Sequence, residues 1–480
     1  MTSRRTTAGL GTTAAIAVLT SLLAPAASVA AAPAPKKPVA KADDFNGDGY
    51  GDTAVGATMA TVNGQQAAGF VSVLYGSAAG PRKGRKQLLH QDIPGIPGAA
   101  GSPNFYGSAL ATGDLDRDGY TDLIVGAPGE TVGSLTTAGT LSVVWGGKGG
   151  LKGGTVLARG TAANMSLGNW LTAGDFDGDG DQDIAASENA QQLRILSGPF
   201  DRKGKARGSR AVSSGQGTFI HGVTSGDLNG DRKADIVTVG SGTPGALAQV
   251  WKGTAQGPAS PAPVRNPSGN SLTPWSLDAG DINKDGYEDL VIGHPNGGLI
   301  IHLPGSAKGL ATDRIRFINQ ETPGVPGSTP PRDNWEDWDD FGHTVSIGDI
   351  DGDGYGDIAV GAPGEKVGIF KRAGAVITLR GTGSGPTGKG ARLLHQDTDG
   401  VPGTVEYNDG LGIAVRLLDT NGDRRAELIS GGARENSTAG GFWVFPGSRT
   451  GSTGKGTAAY GPQHFGAERG KTGLGVVIAR

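Results

Sequence analysis

The chain is 480 residues long, with 87 glycines, no cysteine and a formal net charge of −3. The length allows two or three ordinary domains or one large repeat array, and the charge gives no electrostatic case for nucleic acid. The missing cysteine excludes disulfides, thiolate metal sites and cysteine nucleophiles. Glycine is far above its usual ~7% but follows no Gly-X-Y period, which excludes collagen.

At the N-terminus, Arg4 and Arg5 precede an apolar run from Ala8 to Leu23, and Ser28-Val29-Ala30 offers small residues for cleavage. This pattern predicts a signal peptide over residues 1–30, cut after Ala30, and a secreted product. Sec export fits better than the twin-arginine route, because Thr6, Thr7 and Ala8 stand where large apolar residues usually follow the arginine pair. A membrane span needs ~20 predominantly apolar residues, and this run is short and threonine-rich. Residues 31–42, rich in alanine, proline and lysine, read as a disordered linker.

From residue 43 one unit recurs seven times. Asp44, Asn46, Asp48 and Asp52 occupy the first, third, fifth and ninth places of a nine-residue loop. The next copies are Asp114, Asp116, Asp118, Asp122 and Asp175, Asp177, Asp179, Asp183. Asp227, Asn229, Asp231, Asp235 and Asp281, Asn283, Asp285, Asp289 follow. Asp349, Asp351, Asp353, Asp357 and Asp419, Asn421, Asp423, Glu427 complete the set. Twenty-four of the 46 acidic residues sit at these places, which a merely solvated surface would not produce. Like charges about 4 Å apart repel by roughly 4 kcal/mol near a protein surface. A hard cation with oxygen ligands offsets that, and the spacing matches the first half of an EF-hand calcium loop.

Each loop is flanked by short β runs. One precedes it, as in Tyr106 to Gly113; one follows, as in Leu123 to Val125; a third comes later, as in Leu141 to Trp145; and a weaker fourth appears as Lys86 to His90. Four short strands per unit with turns between them describe a propeller blade. The first loop has no strand before it, whereas Gly473 to Ala479 form a strand with no loop after it. Paired, they complete a seven-bladed all-β propeller over residues 43–480, closed by the C-terminal strand docking into the first blade. Closure removes sheet edges that would otherwise invite aggregation.

Phe341-Gly342 before a loop and Gly361-Ala362-Pro363 after it resemble the FG-GAP repeats of the integrin α-subunit head propeller and its bacterial relatives. Gly126-Ala127-Pro128 and Gly293-His294-Pro295 are the next closest, while Ala186-Ser187-Glu188 and Val239-Gly240-Ser241 depart from the pattern. The resemblance implies a calcium-binding adhesion propeller and says little about the ligand.

The sixth place of each loop calls for a backbone angle that glycine adopts cheaply. It is Gly49, Gly119, Gly180, Gly286 and Gly354 in five copies but Arg232 and Arg424 in two, with Lys233 and Arg425 alongside. Five strong calcium sites and two weak or empty ones are therefore expected, the basic side chain partly replacing the cation in the latter. The competing reading is an Asp-rich turn held by side-chain hydrogen bonds without metal.

The loops should share one face with the turns between third and fourth strands, leaving the longer connections on the other. Three of those carry a common motif beginning His90-Gln91-Asp92, Asn319-Gln320-Glu321 and His395-Gln396-Asp397. The middle one continues to Trp335 and Trp338 among acids, which suits a sugar ring or a basic peptide; the alternative is that both tryptophans cap a blade junction. No Gly-X-Ser-X-Gly, His-Glu-X-X-His, Walker loop or dinucleotide fingerprint occurs. The sequence thus favours a monomeric, non-catalytic binding or adhesion module for an extracellular protein or glycan, with no catalytic residues. The alternative is an extracellular hydrolase or lyase acting on polysaccharide or ester substrates.

Overall fold

The computed structural model describes residues 1–3, 6–9, 43–80, 84–215, 218–242, 247–272, 274–329, 338–468 and 470–480. Contacts group the chain into two units, Met1–Lys37 and Pro38–Arg480. In the first unit the described residues have no regular secondary structure, and the expected signal peptide and linker fall almost wholly outside them. No described helix is long and apolar enough to cross a membrane.

The second unit consists of seven four-stranded antiparallel sheets. Blade two shows the plan: Ala109–Gly113 innermost, then Asp122–Ala127, Thr140–Val144 and Gly154–Arg159 at the outer edge. Blades three to seven follow in chain order, with innermost strands Leu171–Gly174, Thr218–Gly226, Ser276–Gly280, Thr344–Gly348 and Ala414–Leu418. Blade one combines Thr53–Ala57, Phe70–Leu74 and Lys86–Leu89 with Val477–Ile478 as its innermost strand, so the last strand of the chain pairs with the first (Val55 opposite Ile478). Each innermost strand touches the next around the full circle, and Val477–Ile478 touches both Ala414–Leu418 and Ala109–Gly113. The chain is a closed seven-bladed β-propeller, as its repeats predict.

Among the described residues there is no single core. Seven apolar clusters each lie between two neighbouring blades, and the one joining blades seven and one gathers Val55, Phe70, Ile429, Phe442, Leu474 and Ile478. The second strands are buried on both faces, which is why Asp357–Ala362 and Asp122–Ala127 read as continuous apolar runs and not as alternation.

The glycines of the repeat have a shared reason. A Cβ on Gly361 would lie 2.0 Å from the carbonyl oxygen of Gly412 in the next blade, and one on Gly126 would lie 2.0 Å from that of Gly168. At the joint between blades seven and one, Gly431 meets Gly475 in the same way at 1.8 Å. The glycine after the loop in one blade therefore admits the backbone of the glycine before the loop in the next. In blade three Ser187 takes this place, not Ala186, because Gly168 donates to the Ser187 carbonyl as Gly107 does to that of Gly126. The alignment by sequence was one residue out of register there.

Candidate metal centres

Six Asp-rich loops join the innermost strand of a blade to the second, and the first leads into the second strand of blade one, so all seven open on one face. In each, the first aspartate accepts the backbone N–H of the sixth residue at 2.8–3.1 Å. That bond requires a left-handed sixth residue. Gly49, Gly119, Gly180, Gly286 and Gly354 adopt it with φ of 84–91°, and Arg232 and Arg424 adopt it at 65° and 67°. The fourth residue is left-handed as well, which the sequence reading missed: it is glycine in five loops but Arg117 and Lys284 in the other two.

The second residue points inward, away from the carboxylates. Phe45, Leu115, Phe176, Leu228, Ile282 and Ile350 are all buried there and root the loops in the core. The ninth residue is buried too, and it staples the loop to the sheet. Asp122 accepts the Leu115 N–H at 3.0 Å and the Gly146 N–H, just past the third strand, at 2.8 Å. Asp52, Asp183 and Asp357 repeat both bonds with their own neighbours. Desolvation by burial raises these carboxyls against the pull of their backbone donors, to about 8 for Asp52 and Asp122, about 7 for Asp357 and about 6 for Asp183. A carboxyl with that environment is short of positive charge.

The geometry gathers acids as the spacing predicts. Ligand oxygens of Asp114, Asp116 and Asp122 lie within 4.8 Å of one another, as do those of Asp175, Asp177, Asp183 and of Asp349, Asp351, Asp353. All-oxygen donor sets of this kind suit a hard divalent cation. In three of the four loops with asparagine at the third place, its amide faces the ninth carboxylate instead: Asn229 to Asp235 at 3.1 Å, Asn283 to Asp289 at 3.4 Å and Asn421 to Glu427 at 2.8 Å. Buried His302 also reaches Asp289, at 3.2 Å.

Basic side chains reach more of the loops than the sequence suggested. Lys233 and Lys252 approach Asp231 at 3.5 and 3.7 Å and Arg425 pairs with Asp423 at 2.5 Å, in the two loops that lack the sixth-place glycine. Three others do have that glycine: Arg202 spans Asp116 and Asp118 at 2.5 Å each, Arg207 pairs with Asp177 and Asp179, and Arg380 pairs with Asp351. Arg202 and Arg207 come from the region between the third and fourth strands of blade three, and Arg380 ends a third strand. Only the fold brings them to the loops.

The loops are also linked around the ring. The eighth residue of one donates to the first residue's carbonyl in the preceding loop: Thr121 to Asp44, Glu288 to Asp227, Gly356 to Asp281 and Ala426 to Asp349, at 2.7–3.2 Å. Gly51 donates to Asp419 across the joint between last and first blades. Ordering one loop therefore constrains its neighbours.

The FG-GAP repeat family matches residues 106–144 and 341–379, each spanning one loop and its flanking strands. This chain is an FG-GAP repeat propeller. An FG-GAP-like repeat further matches residues 175–238 and 227–292, so the departing middle blades belong to the same series. Among similar proteins, phosphatidylinositol-glycan-specific phospholipase D of Rattus norvegicus is 35% identical over 34% of this chain and 19% of its own length. Integrin alpha-PS3 of Drosophila melanogaster is 30% identical over 45% of this chain and 20% of its own length. The matched part of the FG-GAP propeller thus spans about a fifth of the length of these relatives.

The opposite face holds the shared motif, and the structure gives it a structural role. Gln91 donates to Glu130 at 2.7 Å, Gln320 to Glu365 at 3.2 Å and Gln396 to Glu435 at 2.9 Å. Each glutamine thereby latches the glutamate after Gly-Ala-Pro, or its counterpart, in the next blade. Trp335 lies outside the described residues. Trp338 is half-buried, and a Cβ on Gly364 would sit 2.1 Å from its carbonyl oxygen, so its backbone packs on the Gly-Ala-Pro-Gly turn.

Proposed function

We propose that residues 43–480 form a calcium-binding, non-catalytic binding or adhesion module, exported behind a signal peptide of residues 1–30 and a linker of residues 31–42. The observation that carries the metal half is the convergence of three acidic trios on backbone-stapled loops. Loops one, two, three, five and six hold calcium well, through the residues at their first, third, fifth and ninth places. Loops four and seven hold it weakly, because Arg232 and Arg424 carry Cβ atoms at the left-handed sixth place that glycine fills in the other five. Calcium neutralises the buried ninth carboxylates and, through the ring of loop-to-loop bonds, stiffens the face.

The binding half rests on the likeness to integrin alpha chains and on a fold whose inter-blade glutamates serve as structural latches. Calorimetric titration of the apo protein should find about five sites, within an order of magnitude of the 10⁻⁴–10⁻³ M typical of extracellular modules. Seven equal sites, or none, would sink the assignment. A glycan and protein array probed with and without EDTA, beside a hydrolase panel, tests the rest: calcium-dependent capture without turnover is the expected result.

A further inference from the structure

Blades one, two and six carry twelve-residue connections between second and third strands, residues 58–69, 128–139 and 363–374. Each ends in a small hairpin with a bridge at its tip: Val62 to Gln65, Val132 to Leu135 and Val367 to Phe370. Blade seven has only the eight residues 433–440 in that place. Aligned on the latch glutamates Glu130, Glu365 and Glu435, the four residues of the tip are the ones missing. The chain turns instead through Asn436, Ser437 and Thr438, all left-handed with φ of 51°, 60° and 76°. The neighbouring latch connection, with Pro402 and Gly403, keeps its full length. A cavity of about 510 Å³ lies where the tip would have been, within the range of small-molecule sites.

The walls are fixed before any ligand arrives. Trp443 donates its indole N–H to the Pro402 carbonyl at 2.8 Å, and Tyr460 stacks on Phe442 with centroids 5.2 Å apart. His464 stands edge-on to Tyr460 at 5.8 Å and accepts the Gly461 N–H at Nδ1, 2.9 Å away, so the neutral ring carries its proton on Nε2. Gln463 and Lys471 complete the rim. Glu435 lines the cavity, but its two oxygens already accept from Gln396 and Asn436 at 2.9 Å each. It is held as Glu130 and Glu365 are, by a glutamine of the preceding connection.

We propose that this cavity binds a neutral mono- or disaccharide unit. Exposed His464 offers a ring to the apolar face of a sugar, with the buried Trp443 and Tyr460 as the cavity's apolar backing. The amide, imidazole and ammonium groups of the rim match its hydroxyls, and one acid balanced by one base favours an uncharged ligand. The assignment rests on the binding-module reading and names one ligand class for it.

The test uses the full chain with calcium and saturation-transfer NMR against glucose, galactose, mannose, N-acetylglucosamine and their disaccharides. Two variants fill the cavity: Gln463→Trp on the exposed rim, and insertion of Val-Gly-Ser-Leu after Asn436, which restores the tip of blade two. His464→Ala, on an exposed side chain, serves if either fails to fold. The expected result is transfer from at least one sugar, weakened tenfold or more in the variants at an unchanged melting temperature. Variants that bind sugar like wild type overturn the site and leave the binding-module reading intact. A wild type that ignores every sugar yet captures an extracellular protein does the same. Hydrolysis of a disaccharide overturns both.

Discussion

Removing residues 473–480 should unfold the propeller, and the structure sets the scale. Leu474 is fully buried and Ile478 is 7% exposed. Losing two such side chains from the core costs about 3–6 kcal/mol. Five backbone hydrogen bonds go with them: Gly475 to Gly56, Ala479 to Ala54, Gly473 to Thr438, Leu474 to Ala439, and Thr112 to the carbonyl of Arg480. At roughly 0.5–1.5 kcal/mol net each, the total reaches about 10 kcal/mol, comparable to the whole stability of an ordinary domain. Arg480 adds a further tie, because its guanidinium reaches the Leu277 carbonyl of blade five at 2.5 Å and the Val345 carbonyl of blade six at 2.7 Å. The assay is urea unfolding followed by circular dichroism, with Leu474→Ala and Leu411→Ala as graded controls. These leucines are equivalent, each fully buried and bridged to a glycine of the preceding unit, Gly440 and Gly374. Each substitution should cost about 2–5 kcal/mol. A truncated chain that unfolds at the same urea concentration as the full chain would refute closure as the source of stability.

In EDTA, stability should fall as pH rises from about 4 to 8. Desolvation raises Asp52 and Asp122 to about 8 and Asp357, Glu365 and Glu435 to about 7, so the folded state holds protons that the unfolded state has released. The stabilisation is complete below the unfolded carboxyl range and is lost as pH passes each folded value. Calcium requires the ionised loop carboxylates, so its apparent affinity should rise across the same window, and thermal melts at stepped pH with and without calcium would show the two trends diverge. Arg202→Ala removes the guanidinium that shares Asp116 and Asp118, so calorimetry should find tighter calcium binding at the second loop and a less stable apo protein. Gly361→Ala drives a Cβ into the Gly412 carbonyl, and the resulting overpacking should cost at least 1–3 kcal/mol in urea titrations, whereas Ser187→Gly at the equivalent place should be tolerated.

The sequence alone determined the blade count, the ring closure and the loop positions, because each is written in local, repeating signals. Alternating acids with a turn glycine specify a loop within nine residues, and a strand without a loop at one end matches a loop without a strand at the other. The sixth-place glycines likewise announce a left-handed angle that the backbone does adopt. Only the tertiary structure decided what approaches those loops from elsewhere. Arg202 lies 84 residues from Asp118 in the chain, and no periodicity links the two. The glutamine latches are visible as a repeated motif, but their partners sit in the next blade, so what the motif does emerges only once the blades are packed. The cavity in blade seven has the same origin: a four-residue shortfall is a trivial difference along the chain, and it becomes a space only when three separate connections surround it.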